Sequence, residues 1–219
     1  MTGTPATGLR ADAARNRQRI VEAARAAFAE HGLDVSMRQI ALRAGVGEPT
    51  LRRRFPTKES LVAEAFQDKV ALYADEAERA LVDADPWHGF TTFVRAIARM
   101  QLADRGFSDV LTMTFPESMR AETQRRRAYE ALVALIRRAQ EDGSLRADFS
   151  PEDIVLLLMA HAGVVSASGE LAPLLSERLL AYLFEAFAAP ASDDLPPAPA
   201  PAAAYRAMLR LHRPRAGGS

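Results

Sequence analysis

Two short helical patterns, residues 37–44 and 48–55, meet across Gly45, Val46 and Gly47. A tight turn between helices set at a large angle needs a residue that tolerates positive φ, and glycine does so without steric cost. Start and stop signals frame both helices. Ser36 stands at an N-cap with Gln39 three residues on, the spacing of a capping box. Gly45 ends the first helix, Gly47 is a weak cap for the second, and Pro49 falls in a first turn, where a missing N–H costs little. The apolar positions Ile40, Ala41, Val46 and Leu51 face one another across the turn, and Phe55 is expected to close the unit against Phe28 of the preceding helix. The pattern is that of a helix-turn-helix.

Around this unit the chain reads as helix throughout. The first 11 residues are small and polar and are expected to be a disordered arm. A helix from Asp12 places Ile20, Ala23, Ala24, Ala27 and Phe28 on one face and stops at His31 and Gly32. Thr57 caps a long helix, residues 58–81, and further helices are expected near 86–104, 116–141, 151–166 and 173–187, with a short segment near 108–113. Five prolines between Pro190 and Pro201 mark an extended linker, followed by a short amphipathic stretch, residues 202–213. No repeat and no strand pattern is present, and sparse β-branched residues favour helix. The expected fold is all-α: a three-helix helix-turn-helix domain over 12–57, a larger helical ligand-binding and dimerisation domain over 58–189, and a Pro/Ala-rich tail over 190–219.

Net charge is zero, but it is divided unevenly. Residues 1–58 hold 11 lysines and arginines against 5 acids, whereas residues 59–219 hold 17 against 23. A basic head on an acidic body suits a polyanion-binding module joined to something else. The absence of cysteine excludes disulfides, zinc-thiolate sites and thiol nucleophiles. Residues 1–20 contain no apolar signal core, and the apolar run Ile154–Val165 is short for a bilayer span, so a cytoplasmic protein with no membrane partner is expected.

The outer face of the second short helix carries Glu48, Pro49, Thr50, Arg52, Arg53 and Arg54. A helix of this kind fits the major groove, its first turn against base edges and its later residues against phosphate. Arg52, Arg53, Arg54 and Lys58 supply charge for the backbone, Thr50 can donate to phosphate, and Glu48 can accept from a cytosine amino group. Three adjacent arginines alone are equally a solvated face, so the weight rests on their combination with the turn and the charge asymmetry. The stretches 19–32 (RIVEAARAAFAEHG), 36–46 (SMRQIALRAGV), 50–51 (TL) and 55–61 (FPTKESL) together resemble the DNA-binding domain of the tetracycline-repressor (TetR) family. The resemblance implies a homodimer on a palindromic double-stranded DNA operator, a helical body that binds a small-molecule effector, and release from DNA when that molecule binds. It also implies that Ser36, Arg38 and Gly47 approach the DNA beside the outer face just named. Arg52 stands where the family commonly has tyrosine, Arg54 where it has histidine, and Gly47 where it has a capping serine; arginine keeps a phosphate contact with added charge. The operator sequence does not carry over.

Beyond about residue 66 the resemblance fades. Aromatic and methionine positions, Trp87, Phe90, Phe93, Met100, Phe107, Met113 and Tyr129, are candidates to enclose an apolar cavity with polar groups such as Gln101, Asp104, Arg105 and His161. Such residues at helical spacing are core in most proteins. His161 has no second histidine three or four positions away, so neither a metal site nor a cofactor is expected. The last two strong helices suggest a dimer interface, with Leu157, Ala160 and Val164 on the first and Leu175, Leu179, Tyr182, Leu183 and Ala186 on the second. Burial inside the monomer is the alternative. An all-α enzyme would have to use acid pairs such as Asp83 and Asp85, or Glu152 and Asp153, and helix-start electrostatics accounts for those without chemistry. A helix-turn-helix activator, or a regulator acting without ligand, would leave the same sequence pattern.

Overall fold

The structure, a computed structural model, describes residues 5–112, 119–191, 193–200 and 203. Its helices among these residues are α1 (Pro5–His31), α2 (Met37–Arg43), α3 (Glu48–Arg54), α4 (Lys58–Leu81), α5 (Pro86–Ala103), α6 (Arg105–Thr112), α7 (Met119–Glu141), α8 (Pro151–Ser168) and α9 (Ala172–Phe187). The described extended pairing is a single bridge between Leu145 and Ala188. The fold is all-α. Helix α1 begins at Pro5, inside the stretch expected to be a disordered arm. The amphipathic stretch expected after Ala202 lies, apart from Ala203, outside the described residues.

Side-chain caps set the helix starts. The Ser36 hydroxyl accepts the Gln39 N–H at 3.2 Å while Gln39 Oε1 accepts the Ser36 N–H at 2.8 Å. Thr57 and Ser60 repeat the arrangement at α4. Asp85 accepts from the amides of Trp87 and His88 at α5, and Asp153 accepts the Ser150 N–H at 2.7 Å at α8. Each satisfies backbone donors that a helix leaves open at its first turn.

Two apolar clusters lie along the molecule. The first joins Ile20, Phe28, Ile40, Leu51 and Phe55 of the head to Leu61, Phe66 and Val70 of α4 and to Phe107 and Val110 of α6. The second gathers Phe90, Phe93 and Ile97 of α5, Leu132 and Leu135 of α7, Leu157 of α8, and Leu180 and Phe184 of α9. Helix α4 crosses both, so its first half is packed with the head and its second half with the body. Phe28 stacks on Phe66 with ring centroids 5.9 Å apart, whereas the ring of Phe55 is covered by the Arg17 guanidinium at 4.5 Å. Phe28 and Phe55 share this cluster, with Phe66 of α4 stacked on the first and Arg17 of α1 over the second.

Gly106 explains how α6 reaches the head. A Cβ at this position would lie 2.9 Å from the Phe28 carbonyl oxygen, 2.9 Å from Phe66 Cζ and 3.0 Å from Phe28 Cβ. No side chain fits there without moving backbone. Gly106→Ala is therefore expected to lower stability by about 1–3 kcal/mol, the usual cost of overpacking, measured as a reduced urea midpoint with unchanged helical content.

Candidate nucleic-acid interface

The turn between α2 and α3 is closed by backbone bonds and by a side chain from α1. Val46 N–H donates to the Ala41 carbonyl at 3.0 Å, and Gly45 N–H to that of Leu42 at 3.1 Å. Gly45 has φ +64° with ample space for a Cβ, so what the turn requires there is the left-handed backbone. Arg19 donates to the Ala44 carbonyl at 3.1 Å, covering the end of α2 that no helical bond satisfies. Arg43 pairs with Glu30 at 2.7 Å and holds α2 to α1, and in doing so pushes the Glu30 carboxyl below its usual range.

Leu51 fastens α3 to this scaffold, fully buried, while the opposite face is open. Pro49, Arg52 and Arg53 are exposed, as is Gly47, which caps the helix with backbone alone. Glu48 and Thr50 are half-buried. Arg52 Nε donates to Glu48 Oε1 at 2.9 Å one helical turn back, which holds the guanidinium along the helix. Arg54 is half-buried, and its Nε is a buried donor with no partner among the described residues. Ser36 and Arg38 lie exposed at the start of α2. Together these place a basic surface along a single helix, an element that the major groove admits.

Lys58 is placed differently from the arginines. Its Nζ donates to the Leu33 carbonyl, and burial lowers its pKa against the opposing fields of Asp34 and Asp109. Its charge therefore serves the contact between head and body.

The residues expected to enclose an apolar cavity are mostly packed against one another. Phe90 and Phe93 are fully buried; Phe90 meets Phe149 edge-on at 5.4 Å and Phe93 meets Tyr73 at 5.6 Å. Trp87 stacks on Phe90 at 5.8 Å. Phe107 belongs to the head cluster, and Met100 packs against it. Asp104 is buried, accepts the Phe107 N–H at 3.2 Å to start α6, and pairs with Lys69 of α4. Tyr129 is 54% exposed on α7. Met113 lies outside the described residues.

Gln101 and Arg105 of that group line a cavity among the described residues. The cavity, about 220 Å³, lies where the 3-10 turn Gly32–Asp34 meets α5, α6 and α8, and its wall is largely polar. Behind Gln101 runs a chain of buried hydrogen bonds. His161, with no solvent exposure, contacts Gln101 Oε1 through Nδ1 and Ser176 Oγ through Nε2, both at 2.7 Å. A carbonyl oxygen only accepts, so Nδ1 carries the proton and Nε2 accepts from the Ser176 hydroxyl. Gln101 Nε2 then donates to the Leu158 carbonyl at 3.2 Å. Sequence patterning alone could not find this chain, because its members are 57 and 60 residues apart.

Among the expected interface residues, Leu157 is buried in the body cluster and faces inward. Val164, Leu179 and Leu183 are half-buried, and Leu175, Tyr182, Ala160 and Ala186 are exposed. Exposed Leu156, at 65%, was missed in the sequence because α8 is apolar around its circumference. With Ala160, Gly163 and Ala167 it forms a stripe at helical spacing beside Leu174, Leu175 and Tyr182 of α9. Within Pro151–Phe187 an 18-residue stretch reaches a mean hydropathy of 1.7, and 22% of it is buried.

A three-helix head that presents an open basic helix, carried on a helical body, defines a helix-turn-helix transcriptional regulator. Residues 20–65 match the family described as bacterial regulatory proteins, tetR family, and residues 85–186 match the SbtR-like transcriptional regulator C-terminal domain. The HTH-type transcriptional regulator Rv2250c of Mycobacterium tuberculosis is 30% identical over 166 residues, covering 71% of this chain and 84% of that one. The TetR transcriptional regulator SCO0520 of Streptomyces coelicolor is 30% identical, with TM-score 0.50 over 80% of this chain and 99% of that chain. The ketosteroid transcriptional regulator KstR2 of Mycobacterium tuberculosis has the same fold at 22% identity, with TM-score 0.56 over 78% of this chain and 94% of that one. The chain belongs to the TetR family and is a DNA-binding transcriptional regulator.

The buried imidazole gives stability a pH dependence. Burial lowers the His161 pKa below its ordinary 6.5, so the folded state holds it neutral where the unfolded chain takes up a proton. Stability is complete above about pH 6.5 and falls as pH drops through that value. Urea unfolding between about pH 5 and pH 8, the range of histidine titration, is expected to show this slope in the parent protein and a flatter one in His161→Gln. Equal slopes would mean that His161 titrates alike in both states.

Proposed function

We propose that the chain is a homodimeric repressor that binds a palindromic operator and is released from it by a small-molecule effector. The observation that carries this reading is the pairing of two surfaces: an open basic helix on the head, and an uncovered apolar stripe on α8 and α9. A single α3 reads only a few base pairs, and a second copy brings a second helix about 34–36 Å away, one turn of DNA further on. The stripe is rich in small residues, which lets helices from two copies approach closely. A partner copy, in place of a bilayer, supplies its cover, and the protein acts as a non-enzymatic regulator in the cytoplasm.

At the operator Glu48, Pro49 and Thr50 meet base edges or the nearest phosphate, while Arg52, Arg53 and Arg54 meet the backbone, flanked by Ser36, Arg38 and Gly47. Arg52 has to exchange Glu48 for phosphate, which frees the Glu48 carboxylate for a cytosine amino group. The unpartnered Nε of Arg54 gains an acceptor in the complex. Helix α4 runs from head to body and α6 abuts both, so a change in the body alters the separation of the two heads and with it DNA affinity.

Three outcomes test this reading. The parent protein is expected to sediment at twice the chain mass of 23.9 kDa, and the Leu156→Glu/Tyr182→Glu variant at the single mass with unchanged helical content. Selection from random duplexes at about 0.15 M salt is expected to enrich a palindrome with half-sites about one turn apart. On that duplex Arg53→Ala is expected to lower the slope of log affinity against log salt by about 1 per head. A monomeric parent protein, or no enriched sequence, would overturn the proposal.

A further inference from the structure

The cavity beneath the head differs from a typical pocket for an apolar ligand. Its wall holds Asp34 from the head and Gln101, Arg105, Ser108 and Asp109 from α5 and α6; α8 adds Ser166 beside Ala162 and Val165. At about 220 Å³ it has room for roughly seven waters at 30 Å³ each, below the usual range for drug-sized ligands. Its charges are of both signs. Arg105 reaches Ser166 Oγ at 3.4 Å, a long bond that a stronger acceptor displaces. Asp109 accepts the Leu33 N–H at 3.0 Å, and Asp34 is exposed. Lys58 stands nearby, in the field of both carboxylates.

The geometry points to a binding site for a small amphoteric molecule, of the size and charge pattern of a neutral α-amino acid, at the junction of head and body. Its carboxylate pairs with Arg105, which offers a planar fork of donors, and its ammonium faces Asp34 and Asp109. A simple cation would leave Arg105 opposed by like charge, and a simple anion would face two carboxylates. Gln101 closes the inner end; Leu158 takes one of its two amide N–H groups, and the other serves the occupant. This assignment rests on the effector-released regulator proposed above and names where the effector sits.

The position makes the site sensitive to both functional surfaces. An occupant touches the turn after α1 on the head and three helices of the body at once, so it biases the docking of α6 under the head. Through Gln101 it also touches the chain that runs by His161 to Ser176 on α9. A ligand that binds one head position better than another shifts the equilibrium between them by that difference.

Calorimetric titration of the full chain with each neutral L-amino acid, with n-butylamine and n-butyrate as single-charge probes, tests the site. The expected result is binding of at least one amino acid and of neither single-charge probe. Arg105→Met and Asp34→Asn are each expected to weaken that binding at least about tenfold, one power of ten in the dissociation constant, while leaving helical content and operator binding unchanged. Absence of binding by every amino acid, or binding that survives both substitutions, overturns the site. A parallel release assay on the selected duplex separates the two readings. Release by a different class of compound, unaffected by the two substitutions, refutes this cavity and keeps the effector-released regulator. A duplex that no compound releases refutes that regulator itself.

Discussion

Phe28 occupies the place where the head is fastened to the body. Its ring stacks on Phe66 of α4, and its backbone carbonyl and Cβ are approached so closely by Gly106 that only a hydrogen can stand between them. Aromatic stacking and burial of this kind are worth a few kcal/mol per ring, and here the same rings join three helices. Without the approach of α6 the head would be held to the body by α4 and a few ion pairs, such as Arg25 with Asp68 at 2.7 Å. Exposed pairs contribute little each. The apolar contact therefore sets how rigidly the DNA-reading surface follows the body.

Polar groups at this junction are arranged to adjust. Lys58 gives its charge to the Leu33 carbonyl, Lys69 to Asp104, and Asp109 takes the Leu33 N–H. A buried polar group costs free energy unless it is paired, and the Gln101–His161–Ser176 chain is paired at every link. Apolar residues of similar size would fill the same space without titrating. The polar chain instead has one donor direction, from α9 through α8 to α5.

The sequence made local features legible and long-range ones not. Ser36 with Gln39, Thr57 before α4, and the acids following Ser150 all identified helix starts, because a cap needs only neighbours within three residues. Gly45 identified the turn for the same reason, and so did the arginine face of α3. The aromatic residues of α5 were different. Periodicity shows that Phe90 and Phe93 face inward, but a cavity wall and a packed core share that pattern, and they proved to pack on Phe149 and Tyr73. Leu157 and Leu156 were likewise indistinguishable in a helix apolar on every side, although one is in the core and the other 65% exposed. The polar cavity drew on residues from the turn at Asp34 to Ser166, a spacing no motif records. Lys58 reads in sequence with the basic surface, and the bond from its ammonium to the Leu33 carbonyl, 25 residues away, carries no local signature.

The central claim is that two heads are held at a spacing set by the bodies. The chain contains no cysteine, so a single nitroxide label at Glu22→Cys, on the exposed face of α1, reports the separation between heads without other modification. The account predicts one dipolar distance in the free protein, which narrows to a sharp value on the palindromic duplex. An absence of coupling between labels, with or without DNA, would contradict it, because the heads would then belong to separate molecules.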